Sequence, residues 1–166
     1  MAITKEKKKA LIGELDTLLG ASDSLVFVSF NKLTVKDANE LRRMLLAVNV
    51  GYKVAKKTLL KRSLANKKAE GVLADLPGEI GVAFLKGGDD ITAPAREVYS
   101  FLKAHKDVVR IVGGIFEGVY KDETAMMSIA TIPPREVMYA QFVQLINSPI
   151  SRFAIALNQI AATKTA

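Results

Sequence analysis

Ile132-Pro133-Pro134 constrains this chain more than any other triplet. Neither proline can occupy a helix interior, because each lacks the N–H that continues the ladder and its ring clashes with the preceding turn. The two sides of the pair differ in kind. Before it, β-rich runs alternate with amphipathic stretches; after it, no strand pattern occurs and charges are sparse. The sequence therefore predicts a domain over 1–132 and a C-terminal helical appendage over 133–166.

Within 1–132, Thr4 is placed to cap a first helix ending near Leu19, with Leu11, Ile12, Leu15, Leu18 and Leu19 on its apolar side. Leu25–Phe30 reads as a strand. Thr34-Val-Lys-Asp37 resembles a capping box and opens a helix with Val35, Ala38, Leu41, Leu45 and Val48 inward. Tyr52–Ala55 reads as a strand and Thr58 as the N-cap of a helix reaching about Asn66. Further strands are predicted at Ile80–Leu85, Val108–Val112 and Val119-Tyr120, the Gly113-Gly114 pair permitting a bend or bulge. Thr92 is placed to cap a helix burying Ala95, Val98, Phe101 and Leu102, and Thr124–Ala130 makes a short last helix. Strands separated by helices give a layered α/β or α+β domain, a sheet of four or five strands with helices packed on it.

The net charge of +7 is unevenly laid. Residues 1–70 carry 15 Lys and Arg against 7 Asp and Glu, a net of +8; residues 71–166 carry 9 against 10. A basic half beside a neutral one fits a polyanionic partner. Lys56 and Lys57 stand where a helix is predicted to begin, where free N–H groups and the macrodipole already favour an anion. A phosphate between them would relieve the conflict of two ammonium groups with that dipole. Lys5, Lys7, Lys8 and Lys9 crowd the first helix in the same unfavourable sense, and Arg42 and Arg43 lie off the apolar stripe of theirs.

The appendage is predicted as two helices. Arg135 to Ile146 carries apolar residues over most of its circumference, and Ser148-Pro149 reads as a cap with proline at N1, opening a second helix after a break. In that helix Ile150, Phe153, Ala154, Leu157, Ile160 and Ala161 recur at intervals suited to one face. Leaving several such side chains wet would forfeit several kcal/mol at ~25 cal/mol/Å². The stripe therefore either folds back on its own domain or docks a protein partner.

Other chemistry finds little support. There is no Cys and only one histidine, His105, so no thiolate site, no His-rich metal site and no His-based triad is expected. Gly113-Gly114-Ile-Phe-Glu-Gly118 lacks the spacing of a dinucleotide fingerprint, and there is no Gly-Lys-Ser/Thr phosphate loop. Asp89-Asp90 and Asp122-Glu123 sit where carboxylates commonly cap helices, and His105 is read as a surface residue. No run approaches a membrane span, and the lysine-rich start precedes no signal-type apolar segment. The sequence thus predicts a non-enzymatic protein without metal or cofactor.

Several stretches, in order and at their spacing, carry a resemblance. They are Phe30-Asn-Lys-Leu-Thr-Val35 before Asn39-Glu-Leu-Arg42, Tyr52-Lys-Val-Ala-Lys-Lys-Thr-Leu-Leu60, Gly-Val-Ala-Phe84, Gly113-Gly-Ile-Phe-Glu-Gly118, and Ala130-Thr-Ile-Pro133 leading to Ser148-Pro-Ile150. Together they resemble the stalk-base family of bacterial large-ribosomal-subunit protein ten over nearly the whole chain. The resemblance implies a cytoplasmic, ribosome-bound structural protein whose N-terminal domain grips rRNA beside ribosomal protein eleven. It also implies that the terminal helix carries dimers of the acidic stalk protein, which recruit translational GTPases. Lys56, Lys57, Thr58 and Lys61 would then contact RNA, with Lys5, Lys7, Lys8, Lys9, Lys32, Arg42, Arg43, Lys53 and Arg62 completing the basic set. Ile150, Phe153, Ala154, Leu157, Ile160 and Ala161 would dock the dimers. This sequence departs from the family pattern at Lys57, where Asn is common, at Lys32, where Gly is common, and at Glu79, where Pro often follows the glycine. The rival readings are a free RNA-binding translational repressor or ribosome-assembly factor of similar fold, and a small enzyme with a carboxylate metal site.

Overall fold

Ser24–Phe30 forms β1, and its sequence explains its central place. Along Ser-Leu-Val-Phe-Val-Ser-Phe, Leu25 and Phe27 enter one hydrophobic cluster while Val26 and Val28 enter another. Successive side chains of a strand point to opposite faces, so a strand apolar on both must lie inside a sheet covered on both. The computed structural model describes residues 5–31, 33–67, 69–71, 75–87, 90–105 and 108–164, and the side chains of Lys5 and Lys7 lie outside what is described. Two compact units result, Met1–Ile132 and Pro133–Ala166.

In the first unit the order is α1 (Lys5–Gly20), β1, α2 (Val35–Ala47), β2 (Val50–Val54), α3 (Lys57–Asn66), β3 (Glu79–Leu85), α4 (Ala93–Ala104), β4 (Val109–Phe116), β5 (Val119–Asp122) and α5 (Glu123–Ala130). The sheet runs β2-β3-β1-β4-β5, and all neighbours are antiparallel. β1 and β2 are consequently parallel with β3 between them, and β3 and β4 are parallel with β1 between them. These are two interlocked split βαβ units, an α+β arrangement. One face carries α2, α4 and α5 around Leu41, Leu45, Val98, Phe101 and Met126; the other carries α1 and α3 around Leu15, Leu19, Leu60 and Leu64.

Several local expectations are corrected. The strand predicted to end at Val112 runs on through Gly113-Gly114 to Phe116, and the bulge expected of that pair is present: the register slips where Phe27 faces Gly113 while Val28 faces Ile111. The extra residue, Val112, resets the alternation. Val109 and Ile111 serve one core and Ile115 the other, paired with Leu25. Gly114 has no room for a Cβ, since the Leu25 carbonyl and Met126 occupy the space. Val35 is 79% exposed rather than inward, because it is the first residue of α2, before the helix closes on the core. Thr34 does cap, accepting the Asp37 N–H at 3.2 Å. Thr58 does not: α3 begins at Lys57 behind an extended Lys56 that supplies no side-chain cap. Thr92 also leaves the backbone uncapped, its hydroxyl donating instead to Asp90 Oδ1 at 2.7 Å. Thr4 lies outside the described residues.

The second unit corrects the break at Ser148-Pro149. A single helix, α6 (Arg135–Lys164), carries Pro149 in its interior. Pro149 cannot donate to the Leu145 carbonyl one turn back, and this absence bends helices rather than always ending them. A hollow of about 530 Å³ beside the proline is bounded by α6 residues, among them Gln144, Ser148 and Arg152. No residue of α6 is buried.

Candidate nucleic-acid interface

β1 and β2 end at the edge of the sheet where β3 and β4 begin, for Phe30 faces both Glu79 and Val109, and Val54 faces Gly81. Because β1 and β2 are parallel, the helices after them, α2 and α3, both start at this end. The third N-terminus arrives by packing. Asp16 accepts from Ser63 Oγ and, at 3.3 Å, from Asn66 Nδ2; one turn later the Leu19 carbonyl accepts from Lys67 Nζ at 2.6 Å. Residue numbers climb together along the seam, so α1 and α3 run in the same direction. Three helix N-termini thus face one end of the sheet. Each brings the partial positive charge of a helix start, an element of an anion-binding surface, although in α2 the Thr34 hydroxyl already takes the Asp37 N–H.

Two hollows open there and share Gly78 and Glu79. One, of about 870 Å³, has Asn31 and Arg110 on its walls; the other, of about 390 Å³, has Lys56 and Lys57. The rim is tied by Asn31 N–H to the Val108 carbonyl at 2.9 Å and by Ser29 Oγ to the Pro77 carbonyl at 3.1 Å. Gly78 turns with φ +69° and sits against Ser29 Oγ, so a side chain would be both strained and crowded. Glu79 sets one carboxylate between the cationic walls, so an anion is best received beside Lys56 or Arg110.

The predicted basic residues divide sharply. Lys56, Thr58, Lys61 and Arg62 are exposed on α3 and its lead-in, and Lys8 and Lys9 are exposed near the start of α1. Lys57 is turned inward, its ammonium donating to the Leu76 carbonyl at 3.1 Å. Lys53 is taken up by Glu14 at 2.6 Å, which fastens β2 to α1. Arg42 and Arg43 are exposed but ride on α2, on the opposite face of the sheet from α1 and α3; Arg42 Nη1 reaches Asn39 Oδ1 at 3.4 Å. Lys32 lies outside the described residues. Sequence reasoning missed Arg110, which sits alone among the apolar residues of β4 and shows its place only once register sets it opposite Ser29 at the strand end. It also missed Lys67, which donates to the carbonyls of Leu19 and Ser22 at 2.6 and 2.5 Å and so caps the C-terminal turn of α1. Burial lowers the pKa of that ammonium, with Asp23 opposing.

On α6 the six predicted docking residues fall on one side, and the unbroken helix extends them. Tyr139, Val143, Ile146, Ile150, Phe153, Leu157 and Ile160 alternate steps of four and three, a heptad-spaced seam. At 3.6 residues per turn the residues lining the hollow, Gln141, Gln144 and Ser148, lie on the other side from this seam. Ile150 is 70% and Phe153 67% exposed.

The family model for "Ribosomal protein L10" matches residues 3–103. The chain belongs to the ribosomal protein L10 family. It is 34% identical over 160 residues to the large ribosomal subunit protein uL10 of Alkaliphilus metalliredigens, covering 96% of this chain and 95% of that protein. The uL10 of Clostridium tetani is also 34% identical over 160 residues, with 96% and 91% covered, and that of Delftia acidovorans is 33% identical over 165, with 99% and 92% covered. As an L10-family member the chain is a ribosomal protein of the large subunit, a ribonucleoprotein component of the translation machinery associated with rRNA. All the predicted basic residues lie inside the L10 match; Arg110 and α6 lie beyond it but within the span shared with the uL10 relatives. No described helix is long and apolar enough to cross a membrane.

Proposed function

We propose that this L10-family chain is a two-part scaffold of the stalk base, gripping rRNA with one end of its sheet and holding dimers of the acidic stalk protein on α6. The observation that carries the second half is α6 itself: thirty helical residues with none buried and a seam of large apolar side chains along one side. A helix of that kind reaches its low-energy state by covering its stripe, and a helix-in-groove or bundle contact does so. From Tyr139 to Ile160 the seam is ~32 Å long at 1.5 Å per residue, room for small helical partners in series. Support for the first half comes from the three helix N-termini and the exposed Lys56, Lys61, Lys8 and Lys9 gathered at one end of the sheet. Ribosomal protein eleven is the proposed protein neighbour there, and the scaffold performs no catalysis.

Deletion of residues 150–166 tests the division. The expected result is unchanged rRNA binding with loss of stalk-protein capture. Retained capture would refute the docking role, and lost RNA binding would refute the division of the two functions. Co-sedimentation of the intact chain with mature large subunits distinguishes a resident scaffold from a free repressor or assembly factor.

A further inference from the structure

Asp37 and Glu40, one turn apart at the start of α2, meet His105, which ends α4. α2 leaves the basic end of the sheet and α4 returns to it on the same face, so residues far apart in sequence become neighbours there. One ligand atom from each of the three lies within 4.8 Å of the other two. An ion bound at ~2.0–2.2 Å holds neighbouring ligands roughly 3–3.5 Å apart, so rotamer adjustment of about an ångström closes the set. The imidazole is steadied by stacking on Phe101, centroids 4.4 Å apart at 29°, and the backbone N–H of His105 donates to the Phe101 carbonyl at 3.0 Å. Among the described residues neither carboxylate is engaged in an ion pair, although the surrounding half of the chain is basic. Asp37 and His105 are half-buried and Glu40 exposed, which leaves outer positions for water.

We propose that Asp37, Glu40 and His105 bind a divalent first-row transition ion, Zn²⁺ foremost, clamping the first turn of α2 to the end of α4. One imidazole and two carboxylates match the borderline character of Zn²⁺ and Co²⁺ and are a poor set for Mg²⁺, which prefers oxygen ligands and retains its water. Two full negative charges and the negative end of the α4 dipole favour the cation and outweigh the partial positive charge at the start of α2. The lone histidine of the sequence suffices because the fold, not a sequence motif, brings the carboxylates to it.

The test is a Zn²⁺ titration of the untagged full-length chain by calorimetry, with Co²⁺ absorption as a second readout. The expected result is one ion per chain, undisturbed by excess Mg²⁺, with a higher melting temperature when Zn²⁺ is present. Outer-sphere changes alone commonly weaken metal binding tenfold to a hundredfold, so His105→Gln and the Asp37→Asn/Glu40→Gln pair should each weaken it by more than about tenfold. Those variants should also lose the Zn²⁺-dependent rise in melting. Equal affinity in wild type and His105→Gln would overturn the proposal. So would a wild-type Co²⁺ spectrum indistinguishable from that of the hydrated ion, an outcome independent of how any variant folds.

Discussion

The Lys57 ammonium donates to the carbonyl of Leu76, a residue only 2% exposed, so the two lysines at the head of α3 have different work. Lys57 fastens the segment that leads into β3, while Lys56 faces solvent. A charged hydrogen bond to a partly buried carbonyl is worth about 1.5 kcal/mol, and 1 kcal/mol shifts melting by ~2–4 °C in a chain of this size. Lys57→Met is therefore expected to lower the melting temperature by a few degrees, and Lys56→Met to leave it unchanged. In rRNA titrations across salt the order reverses. Lys56→Met removes ~0.7–0.9 from the log–log slope, and Lys57→Met changes the slope less.

Asp90 supplies a prediction in acid. Its partial burial opposes ionisation, but hydrogen bonds from Thr92 and Arg96 together with the Arg96 charge outweigh it and lower the carboxyl pKa. A lowered folded-state pKa contributes stability above the ordinary carboxylate range that is lost as pH falls through the folded value. The side chain is 35% exposed, so water screens the pair and the contribution is on the order of 1 kcal/mol. Asp90→Asn should destabilise by about that much at neutral pH. Denaturant melts of variant and wild type should converge in strong acid.

Tyr52 predicts the opposite at high pH. Among the described residues its buried hydroxyl has no partner, and it lies over Gly81, where no Cβ would fit. Burial raises its pKa from 10.0 to about 12, with Arg42 opposing. The folded chain thus holds this proton more tightly than the unfolded chain, and stability falls as pH rises from 10 towards 12. Tyr52→Phe removes an unsatisfied buried hydroxyl and is expected to be neutral or stabilising by ~1 kcal/mol at neutral pH. The variant should lose part of the alkaline decline, read from melts across that range.

The continuity of α6 is testable on either side of Pro149. Ile146→Asp and Phe153→Asp place a charge in the same seam, one before the proline and one after. Both are expected to weaken stalk-protein binding at least about tenfold, the loss of one buried aliphatic or aromatic anchor being worth ~1.5–3 kcal/mol. An effect confined to Phe153→Asp would restrict docking to the outer half. Neither change should shift the melting of 1–132, because neither side chain is buried.

Much of the fold was legible because its signals are local. The apolar stripes of α2 and α4 and the runs of β1 and β3 are written in periodicity, and the structure returns them within a residue or two. What escaped depends on neighbours. Pro149 reads as a helix start because Ser148 precedes it, yet propagation through both flanks keeps the helix whole. Gly113-Gly114 reads as a bend or bulge, and the bulge is there, but nothing in the sequence shows that β4 continues beyond it to Phe116. The basic set was found as a composition, but its division between two faces of the sheet follows from strand order, which periodicity cannot give. Arg110 and the Asp37–Glu40–His105 cluster were invisible for the same reason.

Pro149 also gives α6 a mechanical character. With no N–H to hold the Leu145 carbonyl, the helix has one compliant joint between two stiff rods. The outer rod, residues 150–164, is ~22 Å long at 1.5 Å per residue. A fluctuation of ~20° at the joint, the size of an ordinary proline kink, carries its tip through ~8 Å. The proline is then a lever's fulcrum, converting a small angular freedom into reach for whatever the outer rod carries.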